Sequence, residues 1–476
     1  MAVNDFTDFQ LKQVDDNNLL LIFGKRVYLF HAPSLRTFLI DGLTRRIIES
    51  YGKYSLYSDT TYGNRYPEEQ IKSVVENIKR AGIFDSENKE ELLNQKNRYY
   101  ARSPQSRCLT LNLAHNCNLN CRYCYANHGN YKNKSDPSCM PYETAQQAVD
   151  YYLNSSNSDS SNKSIDFSGG EPLLNFEVLQ AIVSYIEKKI KNIDRRLTLT
   201  VITNGLLLSE DKLDFLNRHN VHIAVSIDGD EKIHDANRIT KDGTGSYNLI
   251  IENIKYMLKK KPELFSARTT ITPAGTDVLR ICNHLESLGF KEYTFDIAFG
   301  DSGNPSPLWD QAHFKKYDEN YGYYTASILN YLLNIEKKCT GFVLDRLYRI
   351  HRRVHRTLAC RMSTSLLVVT PTGEFYPCYK LTELENFRIG SVYEGVNQIR
   401  AKELFPKMVF EKSSCNACWA RYLCGGGCPA ASFIENGKDE TPDYWICRSR
   451  LTVWKWALWL YIKLKEAHFP FQAIIP

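Results

Sequence analysis

The chain has no uninterrupted apolar run long enough to cross a bilayer. Its most apolar stretch, LTVWKWALWLYIKLKEAHF at 451–469, is broken by Lys455 and Lys463. A span needs about 20 apolar residues, so no membrane span is expected and the stretch reads as an amphipathic helix, 451–476, closing over a core. The opening MAVNDFTDFQLKQVDDNN carries acids where a signal peptide needs a basic start and an apolar run, which makes the cytoplasm the expected compartment. Charge of one sign is scarce too: 60 basic against 54 acidic residues leaves +6. The densest basic run, RIHRRVHR at 349–356, reads as a solvated helix face, so no nucleic-acid partner is expected.

What is abundant is cysteine. Fourteen of them, clustered in a chain expected in a reducing compartment, point to metal ligation before disulfides. A length of 476 residues exceeds one hydrophobic core and predicts several domains. In the first hundred residues, LLLIF (19–23), VYLF (27–30) and RTFLI (36–40) read as strands, with turns at Gly24-Lys25 and Pro33-Ser34. GLTRRIIESYG and EEQIKSVVENIKRAGIF (68–84) read as helices, the second stopped at Gly82. Three strands and then two helices predict a winged-helix-like unit. From about 107, six strand-like runs alternate with helical stretches: CLTLNLA, SIDFSGG, LTLTVITNG, VHIAVSIDG, ARTTITPAG and EYTFDIAFG. That alternation predicts an α/β fold with a parallel sheet built from βα units. Helices are expected at 142–154, 175–193 and 246–261, and a polar loop at 154–164. Beyond 360, glycine, proline and cysteine punctuate a region held by metal more than by a core.

The first cysteine cluster is CNLNCRYC, with Cys117, Cys121 and Cys124 directly after the first predicted barrel strand. Parallel α/β folds place their chemistry at that edge. Zinc, an iron–sulfur cluster and buried thiols are the candidate readings. Zinc would want a second CxxC or finger-spaced histidines, which His115 and His128 do not provide. A 4Fe–4S cluster held by three thiolates leaves one iron open to bind and activate a ligand. SGGEPLL (168–174), TNG (203–205), SIDG (226–229) and HDANR (234–238) follow. Read alone, the GGEP segment is a tight strand-to-helix turn and Arg238 a surface arginine. The second cluster runs Cys360, twelve residues, Gly373, four residues, Cys378, and then Cys415, Cys418, Cys424, Cys428 and Cys447. Its odd count of seven fits two zinc sites poorly. Cys108, Cys139, Cys282 and Cys339 read as buried apolar thiols.

Taken together, these motifs resemble the radical S-adenosylmethionine (SAM) superfamily, and the seven-cysteine region resembles its SPASM domain. The resemblance implies a partial (β/α)6 TIM-type barrel at 105–310, a helical bridge at 311–358 and a SPASM domain at 359–450. At 1–104 it implies a winged-helix-like recognition element of enzymes acting on ribosomally made peptides (RiPPs). It implies SAM and three 4Fe–4S clusters as cofactors: one on Cys117, Cys121 and Cys124, an outer one on Cys415, Cys418, Cys424 and Cys447, and an inner one on Cys360, Cys378 and Cys428. The inner cluster's fourth place would fall to Cys339 or a substrate thiolate, or stay open. Tyr123 would accompany the first cluster. Gly169, Gly170 and Glu171 would meet the SAM amino group, Thr203, Asn204, Ser226 and Asp228 the ribose, Arg238 the carboxylate by a bidentate pair, and Thr270 and Ile271 the adenine. In that family a 5′-deoxyadenosyl radical takes a hydrogen atom from the substrate. The implied partners are a precursor peptide, its leader added as a strand to the N-terminal sheet, and a flavodoxin- or ferredoxin-like electron donor.

Sulfatase maturases share this architecture, with an aspartate base directly after the G-x4-C cysteine. Here that place is Tyr379, and an unperturbed phenol is a poor base near neutrality. Tyr379, Glu383 and Asp296 are the candidate catalytic side chains. VYLFHAPSLRTFLIDGLTRRIIES resembles, more loosely, the start of the sactipeptide and ranthipeptide maturases that install thioethers. A thioether-forming peptide maturase is the expectation. Its alternatives are carbon–carbon or carbon–oxygen crosslinking, epimerisation, anaerobic sulfatase maturation by formylglycine formation, and an iron–sulfur carrier without SAM chemistry.

Overall fold

The computed structural model describes residues 9–51, 66–85, 87–102, 106–127, 138–155, 162–191, 196–260, 262–298, 309–334, 341–382 and 384–473. His128, Cys339 and Glu383 lie outside the described residues.

The N-terminal unit is an antiparallel sheet of four strands, not three: β1 (Phe9–Gln13), β2 (Asn18–Phe23), β3 (Arg26–His31) and β4 (Arg36–Ile40), in that order. FQLKQ carries too few apolar residues to signal β1; pairing with β2 recruits it. The run in β2 is unbroken because both faces are covered. Leu19 and Leu21 pack toward the rest of the molecule, while Leu20 packs under Leu43, Ile47, Ile71 and Val75. Among the described residues three helices, Gly42–Ser50, Glu68–Arg80 and Lys89–Tyr100, follow the sheet.

Six parallel strands follow: β5 (Cys108–Ala114), β6 (Asn162–Gly169), β7 (Arg196–Thr203), β8 (His222–Ser226), β9 (Phe265–Ile271) and β10 (Tyr293–Ile297). They pair in sequence order, as the alternating pattern predicts for a partial TIM-type barrel. Strand β6 begins at Asn162, inside the polar stretch read as loop. Helices Tyr142–Asn154, Phe176–Ile190 and Tyr247–Lys260 lie where helical spacing places them.

On the far side of β5 the same sheet continues through β11 (Leu366–Val369), parallel to β5, and then antiparallel through β12 (Glu374–Tyr376), β13 (Gly390–Ser391) and β14 (Gly395–Val396). The cysteine-rich region is therefore joined to the barrel by backbone hydrogen bonds. Helices Gln311–Leu333 and Gly341–His351 bridge the two.

The last helix differs from expectation. It starts at Tyr444, so Cys447 sits in its first turns and the 450/451 boundary falls inside a helix. Asp443 caps it, accepting from the Ile446 amide at 2.7 Å. It is a core helix more than an amphipathic one: Val453, Trp454, Trp456, Leu458, Trp459 and Leu460 are all buried. Lys455, which interrupts the apolar run, is neutralised by Asp318 at 2.7 Å. Among the described residues no helix is long and apolar enough to cross a membrane.

Candidate active site

The site forms at the C-terminal edge of the barrel strands. A cavity of about 500 Å³ is lined there by Cys117, Cys121, Cys124, Tyr123, Gly169, Gly170, Thr203, Asn204, Ser226, Arg238 and Thr270. Most of the expected SAM contacts thus share one space, although they come from five strands. Glu171, Asp228 and Ile271 stand behind its wall.

Glu171 is fully buried, and its carboxylate is occupied. It accepts from the Leu173 amide at 3.0 Å, the Thr203 hydroxyl at 2.8 Å and the Asn204 amide at 2.8 Å. It therefore fixes the ends of β6 and β7 against each other. Burial raises its pKa, and those three hydrogen bonds oppose the shift. The two glycines before it serve the cysteine loop. A Cβ on Gly169 would lie 2.3 Å from the Ala114 carbonyl oxygen, and one on Gly170 2.2 Å from that of Asn116. The backbone of Gly170 donates to Ala114 at 2.7 Å, and that of Glu171 to Asn116 at 2.9 Å. The GGEP turn is thus the floor on which CNLNCRYC rests.

Asp228 is also fully buried. It accepts from the Thr270 amide at 2.9 Å, the Tyr123 hydroxyl at 2.6 Å and Arg238 Nε at 3.0 Å. Arg238 lies 5.4 Å from the Tyr123 ring centre, so one aspartate orders both the tyrosine of the cysteine loop and the arginine expected at the SAM carboxylate. Ile271 is a core side chain of β9.

The polar surroundings of the cysteine loop suit a bound group. Both side-chain atoms of Asn112, Oδ1 of Asn116 and Nδ2 of Asn118 are buried without a protein partner, an arrangement that calls for a ligand. Asn204 donates to Asn118 Oδ1 at 2.7 Å and approaches the Cys117 sulfur at 3.6 Å. Hydrogen bonds of this kind set the potential of a cluster. None of these asparagines except Asn204 carried a sequence signal.

The seven C-terminal cysteines influence one another in two sets. Burial pushes the Cys378 thiol up to about 12, with charge on Cys428 and Cys360 adding to it. Burial likewise pushes Cys447 up to about 12, and there the added influences are Cys424, Cys418 and Cys415. Among the described residues no group of three or more His, Cys, Asp or Glu side chains is set up to hold a metal ion.

Of the candidate catalytic side chains, Tyr379 lines the cavity, and burial raises its phenol further. Asp296 lines it too, on β10, but its carboxylate is 80% exposed and paired to Arg450 at 3.2 Å. Sequence reasoning missed Asp166, Arg268 and Lys380, which face the same cavity. Asp166 and Arg268 sit on barrel strands whose inward register could have flagged them. Lys380 adjoins Tyr379 and carried no signal.

Residues 111–278 match the model of the Radical SAM superfamily. The chain is 30% identical over 351 residues to the cysteine-type anaerobic sulfatase-maturating enzyme of Clostridium novyi, a match covering 70% of this chain and 90% of that protein. It is 30% identical over 363 residues to the serine-type anaerobic sulfatase-maturating enzyme of Bacteroides thetaiotaomicron, covering 70% and 84%. It is 34% identical over 192 residues to the uncharacterized protein MJ0907 of Methanocaldococcus jannaschii, 40% of this chain and 62% of that protein's length. The solved structure of anSMEcpe with bound AdoMet shares the fold at a TM-score of 0.62 and 19% identity, covering 75% of this chain and 99% of the other. Streptococcus suis SuiB bound to precursor peptide SuiA does so at 0.52 and 13%, covering 92% and 98%.

A barrel with three loop cysteines resting on a GGEP floor beside one shared cavity, in a chain matching that family model, defines the class of a radical SAM enzyme. The chain belongs to the radical SAM superfamily, whose members use SAM and a 4Fe–4S cluster.

Proposed function

We propose that the protein modifies a ribosomally made precursor peptide, joining a cysteine sulfur to a carbon of the peptide as a thioether. The observation that carries this reading is the reach of one cavity. It runs from the three loop cysteines to Tyr379 and Lys380, which directly follow Cys378. A peptide between them would have the hydrogen-abstracting end on one side and the inner cluster on the other. The bound SAM and cluster would supply the radical that removes the hydrogen atom.

The chain's own residues do the rest. Cys117, Cys121 and Cys124 would hold the SAM cluster, and Asn112, Asn116 and Asn118 would tune it. Arg238, steadied by Asp228, would take the SAM carboxylate, and Asn204, Ser226 and Thr270 the nucleoside. Cys360, Cys378 and Cys428 would hold the inner cluster, and Cys415, Cys418, Cys424 and Cys447 the outer. The four-stranded N-terminal unit would receive the leader. Tyr379 would serve as wall, since a buried phenol takes no proton near neutrality.

Anaerobic sulfatase maturation is the second reading, favoured by the full-length relatives. The tyrosine at the place of the aspartate base speaks against it. Two measurements separate these readings. With SAM and dithionite the reconstituted protein should release 5′-deoxyadenosine, and Cys117→Ala should not. A co-expressed precursor should lose about two daltons per crosslink, with its cysteine no longer alkylatable. An aldehyde in a sulfatase peptide would decide for the second reading.

A further inference from the structure

Joining a peptide thiol to carbon requires a group that takes the thiol proton, and the Tyr379 wall does not supply one. Among the described residues that line the SAM-side cavity, the carboxylates are those of Asp166 and Asp296. Asp296 is paired to Arg450 at the exposed rim. Asp166 stands deeper, on β6, three residues and about 10 Å before the Gly169 turn. It forms one row with Thr110 of β5 and Thr200 of β7. Alternation along β6 sets it on the face of Ser168, which also lines the cavity, while Ile165 and Phe167 point into the core. The Cys108 thiol, on β5, donates to Asp166 Oδ2 at 3.4 Å. Arg268 and Lys380 line the same space, and nearby cations favour the anionic form of a thiol.

We propose that Asp166 is the base that takes the proton from the precursor's cysteine, and that Cys108 positions its carboxylate. The inference rests on the thioether reading of this cavity. The step is a proton transfer alone: the sulfur–hydrogen bond breaks, its electron pair stays on sulfur, and the proton goes to a carboxylate oxygen of Asp166. Burial raises the Asp166 pKa, opposed by the Cys108 thiol, the Arg268 charge, Thr200 and His222. A carboxylate raised in this way accepts a proton more readily than one in water. Burial also pushes the Cys108 thiol up to about 12, so it keeps its proton and acts as donor to the carboxylate. Two further titratable groups lie within electrostatic reach, His222 on β8 and Tyr152 on the helix Tyr142–Asn154. The Tyr152 hydroxyl donates to the Arg107 and Ser164 carbonyls at 2.6 and 3.1 Å, which holds its proton in place.

The test measures crosslinking rates of the reconstituted holoenzyme, with SAM and dithionite, on a synthetic precursor made with either cysteine or selenocysteine as the donor. A selenol ionises well below a thiol and needs no base at neutral pH. Asp166→Asn should crosslink the cysteine peptide about 100-fold more slowly than the parent. On the selenocysteine peptide it should come within about threefold of the parent, a rescue that a folding defect would not give. The parent's rate on cysteine should fall as the pH drops through the raised Asp166 pKa, and this fall should be missing in Asp166→Asn. Cys108→Ala, which removes the donor to the carboxylate, should move the fall to higher pH. Equal loss on both peptides, a cysteine rate within about threefold of the parent, or an acid-side fall that persists in Asp166→Asn and so belongs to His222 would each overturn this role alone. Absence of any crosslink by the parent on either peptide would overturn the thioether reading, and this role with it.

Discussion

Arg421 Nη2 lies 2.6 Å from Glu87 Oε1, with the arginine side chain only 1% exposed. The same guanidinium also donates to the Cys418 carbonyl at 3.1 Å, to the Asp16 carbonyl and to Asn17 Oδ1. One buried arginine thus ties the N-terminal unit to the loop that carries Cys418 and Cys424. Gln13 reinforces the link by donating to the Ala417 carbonyl at 2.6 Å.

Removing this arginine strands a carboxylate, two backbone carbonyls and the Asn17 amide oxygen at the interface. Arg421→Ala is expected to destabilise the protein by about 3–5 kcal/mol, as breaking a buried pair does. Arg421→Lys should recover part of this, because one ammonium cannot reach all four acceptors. Thermal unfolding followed by circular dichroism checks both. Unchanged melting of Arg421→Ala would show that the two units are held together elsewhere.

Gly170 tests whether the GGEP turn is a floor for the cysteine loop. Its added Cβ meets backbone, which cannot swing aside, so Gly170→Ala should cost about 1–3 kcal/mol. It should also cost the SAM cluster, seen as a loss of about four irons from about twelve after anaerobic reconstitution. Gly42→Ala is the control, since a Cβ there meets nothing nearer than Tyr66 Oη at 4.0 Å. Full iron content in Gly170→Ala would remove the turn from the cluster site.

The partition of the seven C-terminal cysteines makes a counting prediction. Cys415→Ala/Cys418→Ala should lose about four irons, no more than either single variant, because both are proposed to serve one cluster. Cys378→Ala/Cys418→Ala should lose about eight. Equal losses for the two pairs would mean that the neighbourhoods do not hold separate clusters.

Much of this was legible beforehand, for physical reasons. The six barrel strands announce themselves because a parallel sheet is buried on both faces and reads as apolar runs. The ten cysteines proposed as cluster ligands stand out because thiols are rare and their spacing is local. What escaped depends on distance in sequence. β1 is a strand only because β2 lies beside it, and a polar FQLKQ cannot report that. Glu171 gives its carboxylate to two amides and a hydroxyl at the ends of β6 and β7, and Asp228 gives its own to the Thr270 amide, the Tyr123 hydroxyl and Arg238. Their motif positions revealed that they matter, but not what they touch. The helix 444–466 read as amphipathic because its lysine at 455 gave no hint of Asp318, far along the chain.

His234, the first residue of the HDANR segment, gives the pH dependence. It is fully buried, with Nε2 at 3.0 Å from the Ser246 hydroxyl and Nδ1 accepting from the Asp228 amide at 3.4 Å. Burial, and then the charges of Arg238 and His284, hold its pKa well below the ordinary 6.5. The folded protein keeps this ring neutral while the unfolded chain protonates it near 6.5. Its contribution is therefore complete above that pH and is lost as the pH falls toward the folded value. The loss approaches about 1.4 kcal/mol per pH unit at its steepest. Glu171, Asp166 and Asp439 are raised by burial and work in the opposite sense, so the parent alone does not isolate the histidine. His234→Gln does, because it keeps an amide in the pocket and cannot titrate. Urea unfolding at a series of pH values should show parent and variant running parallel above about pH 7 and the parent falling more steeply below about 6.5. Parallel curves throughout would mean that His234 takes a proton in the folded state without penalty, and the closed pocket between Asp228 and Ser246 would have to open in solution.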